Sequence, residues 1–378
     1  MFFPAVQHGV PAIVLAPMDG LTDAPMRAVH THIGGFSFTV SEFIRVAQEL
    51  PPARIFLKEV PELTAGAKTP TGCPVQVQLL GGDPDRMATS ARLAVKLGAR
   101  GIDVNFGCPA PTVNRHDGGA TLLKYPDRIQ LVVRAIRDAL PPEIPVSAKL
   151  RLGWESVDDI HLNAEMAALG GASWITIHGR TRMERYLPPA HWEPIGEVKR
   201  NLNIPVVANG DIWTLDDLRR CQDVTGCEHF MLGRGAIANP YLAGWAAAEI
   251  GVRGTSHEEL TAPAPEEWPE LLSLLVSYSA HYGHTGENSI LCRLKQWLSL
   301  ASRYGNFDRF DLLKRSATAE ELFQLMGADS ALCILQQIRQ HQKPHKLPEA
   351  SVPDSQEDMD GCLLECSGLS ASLIMQTV

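Results

Sequence analysis

Several common features are missing from this sequence, and each absence excludes a class of protein. No apolar run is long enough to cross a bilayer, which argues against a membrane-spanning protein. The 8 cysteines form no CxxC pair and no regular framework, which argues against a zinc site and against disulfide stapling. The formal net charge of -9 argues against a protein that coats nucleic acid nonspecifically. Any nucleic acid must therefore meet a local basic face.

The overall composition is ordinary for a globular protein. Hydrophobic residues make up 45% and charged residues 20% of the 378 positions. This length exceeds one ordinary domain and favours one large domain with a smaller one. The apolar start lacks a basic leader and continues directly into a predicted strand, so we expect no signal peptide, a cytoplasmic location and reduced thiols.

The first two thirds of the chain repeat one unit, a short apolar run followed by a polar loop and an amphipathic helical stretch. The eight predicted strands are Ala12 to Met18, Phe36 to Phe43, Pro74 to Leu80, Gly101 to Asn105, Pro145 to Leu150, Trp174 to His178, Pro205 to Asn209 and His229 to Gly233. Eight such units predict an α/β fold, a closed (β/α)8 TIM barrel. A doubly wound open sheet is disfavoured, because it usually has fewer strands and an early glycine fingerprint, which is missing here.

The composition changes after about residue 247, and we divide the chain accordingly. Residues 1–250 form the predicted barrel, and residues 251–268, rich in Gly, Pro and Glu, form a linker. Residues 269–342 contain helical stretches at Pro269 to Tyr282, Ser289 to Tyr304, Asp308 to Met326 and Ala328 to His341, which predict a small helical bundle. Residues 343–378 are polar and acidic with prolines, so we expect a disordered tail.

Cys108 is the first candidate for chemistry. It follows the fourth predicted strand, and Pro109 holds the chain beyond it in an extended path. Loops at strand ends on a rigid scaffold are where reactive groups gather. The alternative is that Cys108 is only a small buried hydrophobe, because free cysteine is among the most buried residue types.

Polar residues follow nearly every predicted strand, at the rim where barrel enzymes carry their chemistry. Lys149 lies in an apolar strand, and a cation there suits a ligand that becomes anionic, although a structural ion pair is the alternative. A reduced flavin is such a ligand, with His178 helping to stabilise its charge and Gln78 meeting its ring edge. Gly233 and Arg234 follow the eighth strand, where many barrels bind phosphate. Together these residues suggest FMN rather than FAD.

Six motifs lie at successive strand ends and cover roughly residues 12 to 240: APMDGLTDAPMR, NFGCPAPTVNRHDGGATLL, AKLRLGW, ITIHGRTR, VVANGDI and MLGRGAIANP. In this order and spacing they resemble the tRNA-dihydrouridine synthase family. SEFIRV at Ser41 and CRLKQWLS at Cys292 further resemble subfamily C, whose members reduce a uridine at position 16 of the tRNA D-loop. The helical region through Arg315 fits that family's tRNA-binding domain. The acidic tail departs from the family.

The resemblance implies FMN as cofactor, NADPH as electron donor and tRNA as partner. The cysteine pattern argues against a metal, and the sequence leaves the oligomeric state open, with a monomer favoured. It implies that Cys108 is the general acid. The residues implied along the flavin, around its ring and at its phosphate end are Pro17, Met18, Asp19, Gln78, Lys149, His178, Asn209, Gly210, Asp211, Gly233 and Arg234. Those implied at the flipped uridine or elsewhere on the tRNA are Arg45, Asn105, Arg151, Tyr186, Arg293, Lys295 and Arg315, with Lys314 and Arg315 competing for one position.

The implied reaction agrees with the residue types. Reducing the uracil double bond requires a hydride from flavin on one carbon and a proton on its neighbour, and a thiol with an ordinary pKa of about 8.5 is mostly protonated at neutral pH. The base must be extruded from the folded tRNA, so basic residues in the segment Arg180 to Tyr186 and on the helix carrying Arg293 are expected to offset that cost. Two alternatives remain: a dihydroorotate dehydrogenase-like enzyme acting on a free pyrimidine, and a non-catalytic tRNA-binding factor.

Overall fold

A computed structural model describes residues 6–114, 118–252, 262–328 and 332–336. Within these residues the strands pair in parallel, and the second strand pairs with both the first and the fourth, which closes the sheet into a barrel. The predicted (β/α)8 TIM barrel is confirmed. The strands are β1 (Ala12–Leu15), β2 (Phe38–Val40), β3 (Ile44–Arg45), β4 (Val75–Leu80), β5 (Ile102–Asn105), β6 (Val146–Arg151), β7 (Trp174–His178), β8 (Val206–Asn209) and β9 (His229–Leu232).

Helices follow the strands and continue beyond the barrel. They are α1 (Ala24–Ile33), α2 (Ala53–Glu59), α3 (Pro84–Lys96), α4 (Pro111–Asn114), α5 (Pro126–Ala139), α6 (Asp159–Leu169), α7 (Glu193–Asn201), α8 (Leu215–Thr225), α9 (Arg234–Ala238), α10 (Leu242–Glu249), α11 (Trp268–His281), α12 (Glu287–Tyr304), α13 (Phe310–Leu313) and α14 (Ala319–Met326), with 3-10 turns at Pro61–Ala65 and Gly119–Lys124. Several start at residues that the sequence marks as caps. Asp83 accepts from the Arg86 amide at 2.9 Å, and Thr214 and Asp217 form a capping box.

Two elements differ from the sequence prediction. The single strand expected from Phe36 to Phe43 is interrupted, because the Ser41 side chain accepts the amide of Gln78 at 3.1 Å in place of a backbone carbonyl. The single helix expected from Asp308 to Met326 is two helices. Thr318 begins the second one by accepting the Glu321 amide at 3.0 Å, which is the capping pattern that the sequence S/T-x-x-E specifies.

The barrel has one apolar core and the C-terminal helices have another. The core of the C-terminal helices also includes residues of the barrel helices α1 and α9. Aromatic side chains of α11 and α12, including Trp268 and Trp297, pack against Met26 and Val29 of α1 and against Ile237 of α9. Burial of this apolar surface stabilises the helices against the barrel, at roughly 25 cal/mol per Å² removed from water. The C-terminal helices, α11 to α14, are therefore built onto the barrel wall and are not a freely hinged module.

Three predicted segments, namely the linker, the last helix and the tail, lie wholly or partly outside the described residues. Residues 343–378, the predicted tail, are outside them, as is half of the predicted linker, residues 253–261. The last predicted helix, Ala328 to His341, is described only at residues 328 and 332–336, of which 332–336 are helical. None of the helices in the described part of the chain is long and apolar enough to span a membrane.

Candidate active site

A cavity of about 930 Å³ opens at the carboxyl ends of the barrel strands. Its size suits a cofactor or a nucleobase, since ligand pockets commonly enclose roughly 300–1,000 Å³. The predicted site residues that line it are Pro17, Met18, Asp19, Asn105, Cys108, Lys149, Arg151, His178, Tyr186, Asn209, Gly210, Asp211, Gly233 and Arg234. Side chains from α12 also contribute to its wall, namely Gln296, Ser299, Leu300 and Tyr304. The barrel rim and the C-terminal helices thus enclose one space.

Five predicted site residues do not line this cavity. Gln78 is fully buried behind Asn105, where its Oε1 accepts from Asn105 Nδ2 at 2.9 Å. Arg45 and Arg315 are exposed on the surface. Arg293 forms an ion pair with Asp23, and Lys295 Nζ donates to the Ser316 carbonyl at 2.6 Å. The structure therefore separates the residues predicted around the flavin and uridine from most of those predicted to contact tRNA elsewhere.

Cys108 is held at the cavity wall by its backbone. The Oδ1 atom of Asn105 accepts the amides of Gly107 and Cys108, both at 2.9 Å. The Cys108 carbonyl accepts from the Ala120 amide at 3.1 Å, and Gly119 makes this approach possible, because a Cβ there would lie 3.1 Å from Cys108 Cβ. The thiol is thus displayed by a fixed loop. Partial burial raises its pKa, and the nearby Asp19 carboxylate adds to this effect.

A buried polar network lies behind the Cys108 loop. Gln78 Nε2 donates to Asp103 Oδ2 at 2.7 Å, and the Ser147 hydroxyl donates to the other carboxylate oxygen. Burial raises the pKa of Asp103 to about 6, although these hydrogen bonds and the charge of Lys149 oppose the rise. The network occupies both ends of the Gln78 amide, which explains why this side chain supports Asn105 instead of reaching the cavity.

Lys149 projects into the cavity from β6. Its Nζ donates to Asn209 Oδ1 at 3.1 Å, and Asn209 Nδ2 in turn donates to the Met231 carbonyl at 2.8 Å. Burial lowers the pKa of Lys149 to about 8, and the charge of Arg151 lowers it further while Asp103 opposes the shift. The ammonium group therefore remains mostly charged at neutral pH, and it is oriented by a hydrogen-bonded amide.

His178 lies beside a pair of arginines and is neutral. Arg180 Nη1 donates to His178 Nε2 at 3.1 Å, which leaves the ring proton on Nδ1. Burial lowers the pKa of His178 well below its ordinary value, and the charges of Arg151 and Lys149 lower it further. Arg180 also pairs with Asp211, whose other oxygen lies 3.8 Å from Arg234. Asp211 therefore orients two guanidinium groups.

Two arginines near the mouth have a role that the sequence did not show. Arg180 is 0% exposed, so this member of the segment Arg180 to Tyr186 is not part of a solvent-facing basic patch, contrary to the prediction. Its Nε donates to the Leu187 carbonyl at 2.6 Å. Arg151 donates to the carbonyls of Gly107 at 2.8 Å and Arg185 at 2.7 Å. Both arginines fix the loops that frame the cavity.

Sequence reasoning also missed Trp213 and Tyr304. Both line the cavity, and their rings stack with centres 4.9 Å apart and planes 22° apart. Trp213 directly follows the NGDI motif, so its position at the rim was open to inference. Tyr304 is the last residue of α12, and nothing in its local sequence indicates that it faces a barrel strand end.

The donor set of the cavity fits a flavin mononucleotide. The cofactor combines an anionic phosphate with a ring that becomes negatively charged on reduction, and the cavity offers Arg234 at one part of its wall and Lys149 with His178 at another. Within the described residues no group of three His, Cys, Asp or Glu side chains is arranged to hold a metal ion.

Proteins similar to this chain are found both by sequence and by structure. The family model described as Dihydrouridine synthase (Dus) matches residues 14–296. A tRNA-dihydrouridine(16) synthase of Shewanella oneidensis is 43% identical over 317 residues, which cover 83% of this chain and 96% of that protein. A protein of the same name from Aquipseudomonas alcaligenes is 46% identical over 292 residues, covering 77% of this chain and 90% of that protein.

Among solved structures, histamine dehydrogenase from Rhizobium sp. 4-9 superposes with a TM-score of 0.50 at 13% identity, covering 73% of this chain and 51% of that chain. The present chain thus spans about half the length of that structure. At this level of identity the likeness shows the barrel fold alone.

Proposed function

The chain belongs to the dihydrouridine synthase family, and we propose that it reduces a uridine of the tRNA D-loop, at position 16, to 5,6-dihydrouridine. One observation supports the chemistry most directly: a thiol with a raised pKa, Cys108, faces the same cavity as a buried lysine and a neutral histidine. The name shared by the similar proteins supports the substrate and the position.

The roles that we assign follow from the state of each group. Cys108 is protonated at neutral pH because its pKa is raised, so its Sγ holds the proton that the uracil ring receives. Asn105 and Arg151 fix the loop on which this thiol is carried. When bound, FMN would supply the hydride, with NADPH as its source of electrons.

In this proposal Lys149 and His178 stabilise negative charge at the cofactor ring. The Lys149 ammonium is oriented by Asn209, and the neutral His178 keeps an Nδ1 proton to donate. Charged and dipolar groups that are fixed in a partly dry site stabilise a developing charge more strongly than the same groups in water, because they do not have to reorient during the reaction. Arg234 would hold the phosphate end, and Tyr186, which is half exposed at the mouth, would cover the flipped uridine.

The tRNA itself would be held outside the cavity. Arg45 and Arg315 are exposed on the surface and suited to phosphate contacts. Arg293 pairs with Asp23, and Lys295 donates to the Ser316 carbonyl. We propose that the enzyme acts in the cytoplasm on tRNA that has already folded.

The test is a reconstituted reaction. Purified protein loaded with FMN is given NADPH and tRNA from cells that lack the gene, and dihydrouridine is mapped along the tRNA. The expected product lies at position 16, and a tRNA with cytidine at that position serves as the control. Turnover of dihydroorotate or free uracil without tRNA would instead favour the enzyme of free pyrimidines. Binding of tRNA with no product under any reductant would favour a non-catalytic factor.

A further inference from the structure

Three aromatic rings surround the guanidinium group of Arg234. Its Cζ lies 5.1 Å from the ring centre of Trp213, 5.4 Å from that of Tyr304 and 5.4 Å from that of Tyr186. Trp213 and Tyr304 are themselves stacked, with ring centres 4.9 Å apart. A guanidinium group held among ring faces loses much of the rotational freedom that an exposed arginine has.

The rings come from different parts of the chain. Trp213 follows β8 of the barrel, whereas Tyr304 ends α12 of the C-terminal helices. Helix α12 is fixed to α9, the helix that starts at Arg234, by two contacts. The Trp297 indole donates to the Ile237 carbonyl at 2.8 Å, and Gly305 lies so close that a Cβ there would be 2.5 Å from the Ala238 carbonyl oxygen. Tyr304 is thus positioned by its helix and is not a mobile surface ring.

The same helix is joined to the opposite wall of the cavity. Gln296 Nε2 donates to the Gly20 carbonyl at 2.9 Å, and Arg293 pairs with Asp23. Both partners lie in the segment that connects β1 to α1, close to Met18 and Asp19 at the cavity wall. Helix α12 therefore bridges two sides of the site.

The charges beside Arg234 suit an anion. Asp211 lies between Arg180 and Arg234, so that one carboxylate serves two guanidinium groups. The sum of these three charges is positive, which matches the negative charge of a phosphate monoester. The aromatic rings contribute no opposing charge, and they exclude water from one side of the arginine.

We propose that Tyr304 and Trp213 are positioning residues that hold Arg234 toward the phosphate of FMN, so that the C-terminal helices complete the cofactor site as well as the tRNA site. This inference rests on the proposed function, because it takes FMN as the ligand. It gives Tyr304 a role in binding a small molecule, although the residue belongs to the region predicted to bind RNA.

The experiment compares two ligands that differ only in the phosphate. Affinities of the full-length apoprotein for FMN and for riboflavin are measured by flavin fluorescence for the wild type, Tyr304→Ala, Tyr304→Phe and Trp213→Leu. We expect Tyr304→Ala and Trp213→Leu to weaken FMN binding about tenfold, which corresponds to about 1.4 kcal/mol, and to leave riboflavin binding unchanged. Tyr304→Phe keeps the ring face and should bind FMN like the wild type.

The matched control is Tyr125→Ala. Tyr125 is half exposed, and Arg128 lies 5.9 Å from its ring centre, but neither residue lines the cavity. Tyr125→Ala should change neither the affinity for FMN nor the affinity for riboflavin. Equal loss of FMN and riboflavin binding in Tyr304→Ala would overturn the inference, because it would indicate general damage. Weaker tRNA binding with unchanged FMN binding would also overturn it, by identifying the ring as a platform for a nucleobase. A wild-type protein that binds no FMN would refute the proposed function itself.

Discussion

The arginines that frame the barrel mouth and several cations of the C-terminal helices lie in opposite environments. Arg151 and Arg180 are 2% and 0% exposed and bond to backbone carbonyls, a histidine and a carboxylate, whereas Arg303, Lys314 and Arg315 of the helices face solvent. Buried cations act at short range on a small ligand in a fixed geometry. Exposed cations act more weakly, and their attraction for phosphates falls as the salt concentration rises. From this comparison we propose that the chemistry takes place in the barrel and that the substrate docks on the helices. Helix α12 would take part in both.

The largest expected difference between the two regions is the effect of replacing a cysteine in each. Cys108 faces the cavity, and Cys292 is exposed on α12. We expect Cys108→Ala to lower dihydrouridine formation by about 10² to 10⁴, the range for losing a general acid, with FMN and tRNA affinities unchanged. Cys292→Ala is the control and should keep full activity. Product formation at the normal rate by Cys108→Ala would remove this thiol from the mechanism.

The next largest effect concerns Lys149 and the pH dependence of the reduction rate. Because its pKa is lowered to about 8, the ammonium group loses its proton and its charge above that pH, and the reduction rate should fall there. Lys149→Met should lower the rate at pH 7 by about 10² and abolish this alkaline decline. Cys108 would cause a separate decline at higher pH, since its pKa is also raised. An unchanged pH profile in Lys149→Met would contradict the assignment.

A smaller effect is expected from the exposed arginines that are predicted to contact tRNA. Arg45→Ala tests the barrel and Arg315→Ala tests the helices. Each should weaken tRNA binding several-fold and reduce the slope of log affinity against log salt by about one, with FMN binding unchanged. Arg92→Ala, at an exposed arginine of α3 outside the predicted contacts, is the control. A salt slope that only one of the two variants reduces would assign docking to that region alone.

The last prediction concerns the contact between the regions, and it is read in stability and not in activity or binding. His30 of α1 is fully buried 5.7 Å from the Trp297 ring, and neither of its ring nitrogens has a hydrogen-bond partner among the described residues. Burial lowers its pKa to about 3, so the unfolded chain binds the additional proton below pH 6.5. The free energy of unfolding is therefore highest above pH 6.5. It falls by about 1.4 kcal/mol for each pH unit below that value.

His30→Leu tests this prediction, because leucine has no proton to gain and leaves no polar atom unsatisfied. The variant should be at least as stable as the wild type in urea unfolding at pH 7, and it should lose less stability than the wild type between pH 6.5 and 5. Parallel pH dependences of the two proteins would show that other groups control acid unfolding.

The shared core also limits one simple experiment. Deleting the C-terminal helices would expose Met26, Val29 and Ile237 and would remove Tyr304 from the cavity. Loss of activity in such a deletion would therefore not separate a tRNA enzyme from an enzyme of free pyrimidines. Point changes on the exposed face avoid this difficulty, because they leave the core intact.

The sequence alone determined the barrel and the motif residues at its rim. Eight apolar runs separated by polar loops and amphipathic stretches predict the strands, because parallel strands buried on both faces read as continuous hydrophobic segments. The carboxyl ends of those strands must then meet, which is why the sequence already predicts that Cys108, Lys149, His178 and Arg234 lie at one rim.

Only the tertiary structure decided what those residues contact. Gln78 turned away from the cavity because Asp103 and Asn105 occupy both ends of its amide. Tyr304 reached Arg234 because α12 packs on α9, a contact between segments some 60 residues apart in sequence that no local pattern encodes. Periodicity fixes which face of an element is buried, whereas the partner of a given side chain depends on packing across the whole core.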